Sequence, residues 1–178
     1  MMNYLIGLVA LLTLSTPSGG SFYNISFTGL DGSTISTSVY KGKKVVVFAF
    51  NGVHPDLGLL SNMDSVQRAG GDSIQVVGIP ALDFDSTVST QRVAQLRDSM
   101  GLAMTLGNPV HVGKSTGSAQ SALFQWLTSA AQNGHFNRDV EEPGMLFIVS
   151  TSGELYGIIN NALRQQLLSQ VLLKQPGQ

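Results

Sequence analysis

One histidine of this chain lies where α/β proteins often place a reactive side chain. Residues Val45 to Phe50 form an apolar run rich in β-branched and aromatic residues, which predicts a strand buried on both faces of a parallel or mixed sheet. Apolar residues then recur at spacings of three from Leu57 to Val66, the stripe of an amphipathic helix. His54 therefore lies between the end of a strand and the start of a helix, a common place for chemistry in such folds.

The residues around His54 predict where this helix begins and ends. Pro55 fits the first helical turn, because the N–H that proline lacks would have no partner there. Asp56 faces the positive end of the helix dipole and is close enough in sequence to reach a pocket beside His54. Gly70 and Gly71 can adopt the left-handed backbone that ends a helix.

Composition excludes several classes of function. The 178 residues suffice for one domain with a core of its own. Charged residues make up only 12% of the chain, and a net charge of −1 provides no basic surface for nucleic acid. The sequence contains no cysteine, which rules out disulfides, metal thiolates and every mechanism that uses a thiol.

The first twenty residues have the layout of a secretory leader rather than of a folded segment. Leu5 to Leu14 is an apolar run too short to span a bilayer comfortably, and small and polar residues follow it, with cleavage expected within Ser18 to Ser21. The start of the leader carries no Lys or Arg, so residues 4–15 retained as an uncleaved membrane anchor are the alternative. We predict a secreted or secretory-pathway protein, with residues 1–20 as leader or anchor and residues 21–178 as the domain.

Asn24-Ile25-Ser26 is the one N-x-S/T sequon in the chain. It makes Asn24 a candidate for N-glycosylation in a eukaryotic secretory route. Such short motifs also occur by chance, so an unmodified Asn24 is the alternative.

Periodicity and turn residues predict the other elements in the order β-β-β-α-β-α-α-β-β-α. A strand at Phe22–Phe27, a turn at Leu30–Gly32 and a strand at Thr34–Ser36 form an N-terminal hairpin. The later elements are a strand at Ile74–Ile79, a helix capped by Ser89 or Thr90, a helix from Ala119 to Ala131, strands at Met145–Val149 and Glu154–Ile159, and a final helix capped by Asn160 or Asn161.

Four segments of this sequence together are similar to a known family. They are Phe27–Val47 (FTGLDGSTISTSVYKGKKVVV), Gly78–Phe84 (GIPALDF), Asn108–Leu127 (NPVHVGKSTGSAQSALFQWL) and Leu146–Gly153 (LFIVSTSG). In their order and spacing they resemble the glutathione peroxidases, a branch of the thioredoxin fold. The resemblance implies an α/β fold with a mixed central sheet flanked by helices and an N-terminal hairpin.

The same resemblance assigns the positions of the family's active site. Its selenocysteine or cysteine falls on His54, and its glutamine falls on Asp83. Its Trp-Asn-Phe segment falls on Glu142, Pro143 and the glycine that follows. Peroxide reduction needs a sulfur or selenium anion that attacks the O–O bond and is regenerated by thiol exchange, which an imidazole cannot replace. The resemblance therefore implies the fold, whereas these residues predict that thiol peroxidase activity is absent.

Three hypotheses for function follow. The first is a glutathione peroxidase homologue that has lost thiol peroxidase catalysis and acts as a binding or structural module, with a protein partner or a larger assembly and no cofactor. The second is a repurposed pocket in which His54 is a general base oriented by Asp83 or Glu142, or in which these groups bind a divalent metal. The third is a residual oxidative-stress role by a non-thiol route. A relaxed site that has drifted to polar residues is the simpler explanation of the same cluster.

Other residues whose side chains could take part in catalysis or binding are expected to have structural or solvent-exposed roles. His111 and His135 are predicted to be solvated loop residues, and Trp126 lies on an apolar helical face. The Gly113–Gly117 segment contains Gly-Lys-Ser but lacks the upstream glycine of a phosphate-binding loop. Pro143 occupies a place where thioredoxin folds often have a cis-proline, so a cis bond is expected there.

Overall fold

The central strand of the sheet is β3 (Lys44–Phe50), all seven of whose residues are buried. In the computed structural model, which describes residues 20–160, β3 pairs in parallel with β4 (Ile74–Pro80) and antiparallel with β6 (Leu146–Val149). The sheet is completed by β5 (Thr105–Leu106) beside β4 and β7 (Leu155–Ile159) beside β6. The predicted mixed sheet is confirmed, and the short edge strand β5 was not predicted.

Successive side chains of β3 enter two different cores, because they point alternately to the two faces of the sheet. Val45, Val47 and Ala49 pack on the side that holds Trp126 and Leu127. Val46, Phe48 and Phe50 pack on the other side, against the first helix. Burial of both faces explains why the strand shows no alternation of polar and apolar residues.

The structure has four α-helices within residues 20–160: α1 (Leu57–Gly70), α2 (Thr90–Met100), α3 (Ala122–Thr128) and α4 (Ala130–Asn133). Ser89 caps α2 through a bond from Arg92 N to its hydroxyl, as predicted. Helix α1 ends at Gly70, and Gly71 has a positive φ of 50°, also as predicted. The placement of Pro55 inside α1 was wrong, because Asp56 is the N-cap and Pro55 precedes it.

The long helix predicted from Ala119 to Ala131 is divided into shorter pieces. Residues Lys114–Ala119 form a 3-10 helix, and extended backbone at Gln120 and Ser121 separates it from α3. Ser129 is also extended and separates α3 from α4. The apolar spacing is continuous in the sequence across these breaks, although the 3-10 helix has no buried residue, and so periodicity could not reveal them.

The N-terminal hairpin is confirmed, with antiparallel β1 (Ser26–Thr28) and β2 (Thr34–Ser36). The first strand is shorter than predicted, because Phe22–Asn24 form a 3-10 helix. Phe22 is fully buried, and its ring packs against Trp126 with a centroid separation of 5.4 Å. The buried Phe22 and the partly buried Ile25 and Phe27 therefore produced a pattern that resembled strand alternation.

Two predicted segments, the leader (residues 1–20, apart from Gly20) and the final helix, lie outside the described residues. Within residues 20–160, no helix is long and apolar enough to cross a membrane.

Candidate functional site

His54 lies at the junction between the central strand and the first helix, as its position in the sequence predicted. β3 ends at Phe50 and α1 begins at Leu57, so His54 is in the connecting loop. The Asn51 carboxamide oxygen accepts hydrogen bonds from the backbone N–H groups of Val53 (2.9 Å) and His54 (2.8 Å). These bonds fold the loop into a tight turn that presents His54 at the surface, where it is exposed.

A groove of about 260 Å³ opens beside this loop. Its lining combines an imidazole and two carboxylates with apolar side chains: Phe50, Asn51, His54, Asp56, Leu59, Glu142 and Pro143. We call this the junction groove. Three of the predicted positions, His54, Glu142 and Pro143, are therefore brought together.

Local hydrogen bonds fix the walls of the junction groove. The Asp56 carboxylate accepts a bond of 2.9 Å from the N–H of Leu59, which caps α1 and holds the carboxylate at the rim. The Arg92 guanidinium donates to the carbonyl of Val53 at 3.0 Å, which ties the loop to α2. This wall of the junction groove is therefore built from the end of β3, the start of α1 and the loop between them, which α2 holds in place.

The opposite wall is a reverse turn immediately before β6. The Gly144 N–H donates to the Ala49 carbonyl of β3 at 2.7 Å, and the Met145 N–H lies 3.5 Å from the Glu142 carbonyl oxygen. Pro143 followed by a glycine with φ of 83° is the pattern of a type II turn, which is formed with a trans proline. The cis bond expected at Pro143 was wrong, since every peptide bond within residues 20–160 is trans.

Asp83 does not line the junction groove. Its carboxylate lies beyond the end of β4, where it accepts bonds from the backbone N–H groups of Val112 (2.5 Å) and Gly113 (3.3 Å). His111 Nδ1 lies 3.1 Å from the other carboxylate oxygen. The expected convergence of His54, Asp83 and Glu142 is therefore not found, because the fold uses Asp83 to hold the loop around His111.

Burial and hydrogen bonding act in opposite directions on Asp83. Burial of the carboxylate favours its neutral form, but the bonds from Val112, His111 and Gly113 stabilise the anion and lower its pKa below the usual range. The side chain is only 19% exposed. Asp83 is thus a structural anion rather than a general base, and the expectation that His111 is simply solvated was incomplete.

A different carboxylate, Asp85, lies within electrostatic reach of His54. Hydrogen bonds from Thr87 lower the pKa of Asp85, and the positive charges of His54 and Arg92 lower it further. Sequence reasoning missed this residue, because the family pattern directed attention to position 83. Its signal was the Asp-x-Thr spacing typical of a side chain that caps its own turn, which places Asp85 in the loop before α2.

The polar groups of the junction groove can form hydrogen bonds and ion pairs with a ligand, and the His54 side chain is open to solvent. Within residues 20–160, no three His, Asp or Glu side chains are arranged so that they could hold a metal ion. A metal-assisted reaction would need a further ligand from the reactant or from outside this range.

No family model matches this sequence, and no curated protein matches it either. Solved structures do match. Trgpx in its apo form has a TM-score of 0.67 at 17% identity and covers 87% of this chain and 95% of its own. GPX1 of T. cruzi has a TM-score of 0.66 at 12% identity, with 86% and 94% covered.

A secreted Mycobacterium tuberculosis disulfide oxidoreductase homologous to E. coli DsbE gives a TM-score of 0.56 at 17% identity, with 85% and 96% covered. The matches thus include glutathione peroxidases and other thioredoxin-like proteins over most of the chain. The fold is therefore thioredoxin-like and similar to that of the glutathione peroxidases, in a chain that contains no cysteine.

Proposed function

We propose that this protein is a secreted or lumenal glutathione peroxidase homologue that does not catalyse thiol peroxidase chemistry and binds a polypeptide partner in the junction groove. The carrying observation is that an imidazole, His54, occupies the junction of β3 and α1 in a chain with no sulfur nucleophile. Without a thiol or selenol there is no group to attack peroxide and be restored by thiol exchange.

The lining of the junction groove supports a particular kind of partner. Asp56 and Glu142 carry negative charge, and the exposed Pro143 supplies apolar surface in the same groove, whose remaining apolar residues, Phe50 and Leu59, are almost fully buried. A polypeptide that presents a Lys or Arg next to an aliphatic side chain complements both features. The groove is partly open to solvent, which suits an extended segment that lies along it.

The absence of peroxidase activity is tested directly. Purified protein is incubated with hydrogen peroxide and either glutathione or reduced thioredoxin, and peroxide consumption is followed. We expect a rate equal to that of buffer with reductant alone. Turnover above that rate, lost on removal of the protein, would contradict the proposal.

The binding role is tested with a defined peptide. Acetylated Leu-Lys-Leu-Lys-Leu amide is titrated against labelled protein, and the same peptide with Glu in place of Lys is the comparison. We expect saturable shifts of the His54 and Leu59 amides with the lysine peptide only, weakened by salt. Equal binding of both peptides, or none, counts against a basic partner.

Charge-neutralising variants provide the matched control. Asp56→Asn keeps an oxygen that can cap α1, and together with Glu142→Gln it removes two charges from the groove. We expect this pair to weaken the lysine peptide about three- to tenfold, since each exposed charge contact contributes about 0.3–0.7 kcal/mol. Asp72→Asn with Asp98→Asn removes two exposed charges elsewhere and should leave binding unchanged.

Acid–base catalysis is the second candidate, favoured by the presence of His54 and Glu142 in one groove. A panel of nitrophenyl esters and phosphates tests it over a range of pH. Hydrolysis that is abolished in His54→Ala, with folding retained, would support this candidate over the binding role. Hydrolysis that persists in that variant would exclude His54 as its catalyst.

Entry into the secretory pathway is supported by the apolar leader and by the exposure of the sequon. Asn24 and Ser26 are both exposed, so an oligosaccharyltransferase could reach the site. One of the structurally similar proteins is itself a secreted protein. Expression of the full chain in eukaryotic cells, with analysis of medium, membranes and lumen, distinguishes secretion from retention by residues 4–15.

A further inference from the structure

The chain has three histidines, and one of them lies in the junction groove. His111 is held beside the Asp83 carboxylate at 3.1 Å, and His135 is exposed in the loop after α4. His54 lines the junction groove and is exposed there. Imidazole is the one side chain whose ordinary pKa, about 6.5, lies within the physiological range. Protonation of His54 therefore changes the charge of the proposed binding site itself.

The charged groups around His54 come from several segments of the fold. Asp56 lines the groove from the start of α1, and Glu142 lines it from the turn before β6. Asp85, in the loop before α2, is close enough for the charge of His54 to lower its pKa. The Arg92 guanidinium of α2 bonds to the backbone of the His54 loop at 3.0 Å. These groups carry more negative than positive charge, so together they attract a proton on His54.

A proton on His54 competes with a cation bound in the groove. The carboxylates of Asp56 and Glu142 are the groups that complement a Lys or Arg of the proposed partner. A neutral imidazole leaves both carboxylates to the partner. An imidazolium repels the cation of the partner and can itself pair with the same carboxylates. Both effects weaken the binding of a basic segment.

We propose that His54 makes the junction groove release a basic segment on acidification: the groove binds the segment while His54 is neutral and loses affinity for it once His54 is protonated. This inference rests on the proposed binding function and concerns the regulation of the same groove. Because linkage is reciprocal, a segment that favours neutral His54 also displaces a proton when it binds.

Affinity at two pH values tests the proposal. Acetylated Leu-Lys-Leu-Lys-Leu amide is titrated against labelled full-length protein at pH 7.5 and at pH 5.5, at one ionic strength, and circular dichroism verifies the fold at both. The lysines of the peptide are charged at both pH values. We expect binding to be about three- to tenfold weaker at pH 5.5, because each exposed charge contact contributes a factor of about two to three.

Three histidine variants separate the charge of His54 from its shape. His54→Gln removes the titrating group, so the ratio of the two affinities should fall close to one. His54→Lys carries a positive charge at both pH values and should bind at pH 7.5 as weakly as the wild type does at pH 5.5. His135→Gln is the matched control, because His135 is exposed but does not line the groove, and it should keep the ratio of the wild type.

Proton release provides a readout that a merely structural role of His54 would not produce. The heat of peptide binding is measured at pH 6.5 in two buffers with different enthalpies of ionisation. We expect the wild type to release a fraction of a proton for each peptide bound, and His54→Gln to release none.

The possible failures are distinguishable. Saturable binding at pH 7.5 that is equal or tighter at pH 5.5 would overturn this inference and leave the proposed function standing. An unchanged ratio in His54→Gln would show that another group titrates, and would also overturn it. No saturable binding at either pH would overturn the inference together with the proposed function.

Discussion

The two parallel strands β3 and β4 end next to each other at the same end of the sheet. A polar residue follows each strand, and the two residues have different environments. After β4, the Asp83 carboxylate is held by two backbone N–H groups and His111. After β3, His54 is exposed in a loop. The side chains of Asn51 and Arg92 bond to backbone groups of this loop and not to the His54 imidazole. In the second case the fold positions the loop and leaves the side chain at the surface.

Asp83 and His54 were both predicted to belong to one functional site. The structure gives Asp83 a structural role and leaves His54 available to a ligand. A carboxylate with three hydrogen bonds cannot also act as a base without loss of those bonds. An exposed side chain on a fixed loop can contact a ligand at little cost in stability. The predictions below test this contrast, from the largest expected effect to the smallest.

Replacement of the Asp83 carboxylate should destabilise the protein most. Asp83→Ala leaves two backbone N–H groups without their acceptor, and we expect a loss of about 2–3 kcal/mol in the free energy of unfolding. His54→Ala removes an exposed side chain and should change that free energy by less than about 0.5 kcal/mol. Urea denaturation of both variants measures the difference, and similar losses would contradict the contrast.

The contribution of Asp83 should depend on pH in a defined direction. Its pKa is lowered in the folded protein, so the stabilisation is complete above the ordinary carboxyl pKa of about 4 and is lost as pH falls through the lower, folded value. Asp83→Asn should therefore lose stability less steeply than the wild type on acidification below about pH 4.

Other carboxylates that remain in the variant will keep part of this acid dependence. Asp64 also has a lowered pKa, since bonds from Arg68, Met104 and Ala103 outweigh its burial. Unfolding measured at a series of pH values in both proteins isolates the share of Asp83. If the free energy of unfolding changed with pH in parallel in the two proteins, the protonation of Asp83 would not contribute to the pH dependence of stability.

The cap on α1 should have a smaller effect that depends on the replacement. Asp56→Ala removes the acceptor of the Leu59 N–H bond and should cost about 1 kcal/mol. Asp56→Asn retains an acceptor and should change stability by a few tenths of a kcal/mol. Thermal or urea unfolding of the two variants measures this. A large loss in Asp56→Asn would show that the charge, and not the cap, is important for folding.

A thiol placed at the junction should be a poor nucleophile. In His54→Cys the carboxylates of Asp56 and Glu142 oppose formation of a thiolate, so the thiol pKa should lie above its ordinary value of about 8.5. The pH dependence of alkylation by iodoacetamide measures it, with Ser118→Cys as an exposed control outside the groove. A lowered pKa at position 54 would indicate that the site still favours an anion.

Sequence patterns located the main elements because caps, turns and the burial of a strand or helix face depend on residues that are neighbours in sequence. The run that became β3, the cap at Ser89 and the hairpin turn before β2 are each visible in neighbouring residues. The breaks around α3 were not predictable, because Gln120 and Ser129 interrupt an apolar spacing that remains in register. The edge strand β5 has two residues, too few to show any period.

The candidate site was predicted in part for the same reason. His54 was located correctly, because a strand followed by a helix fixes the residue between them. Glu142 and Pro143 joined it through antiparallel pairing of β3 with β6, as the family resemblance implied. The expectation that Asp83 faces His54 was not met, because its hydrogen bonds are to residues almost thirty positions further along the chain.

The sequence by itself determined that this protein has no thiol chemistry, since that depends only on which atoms the chain contains. It also determined the buried central strand and the position of His54 between that strand and the following helix. Only the tertiary structure decided which carboxylates face His54 and which hold a loop. It alone revealed that Asp85 lies within electrostatic reach of His54, because electrostatic contacts, hydrogen bonds and grooves depend on distances between segments that lie far apart in sequence.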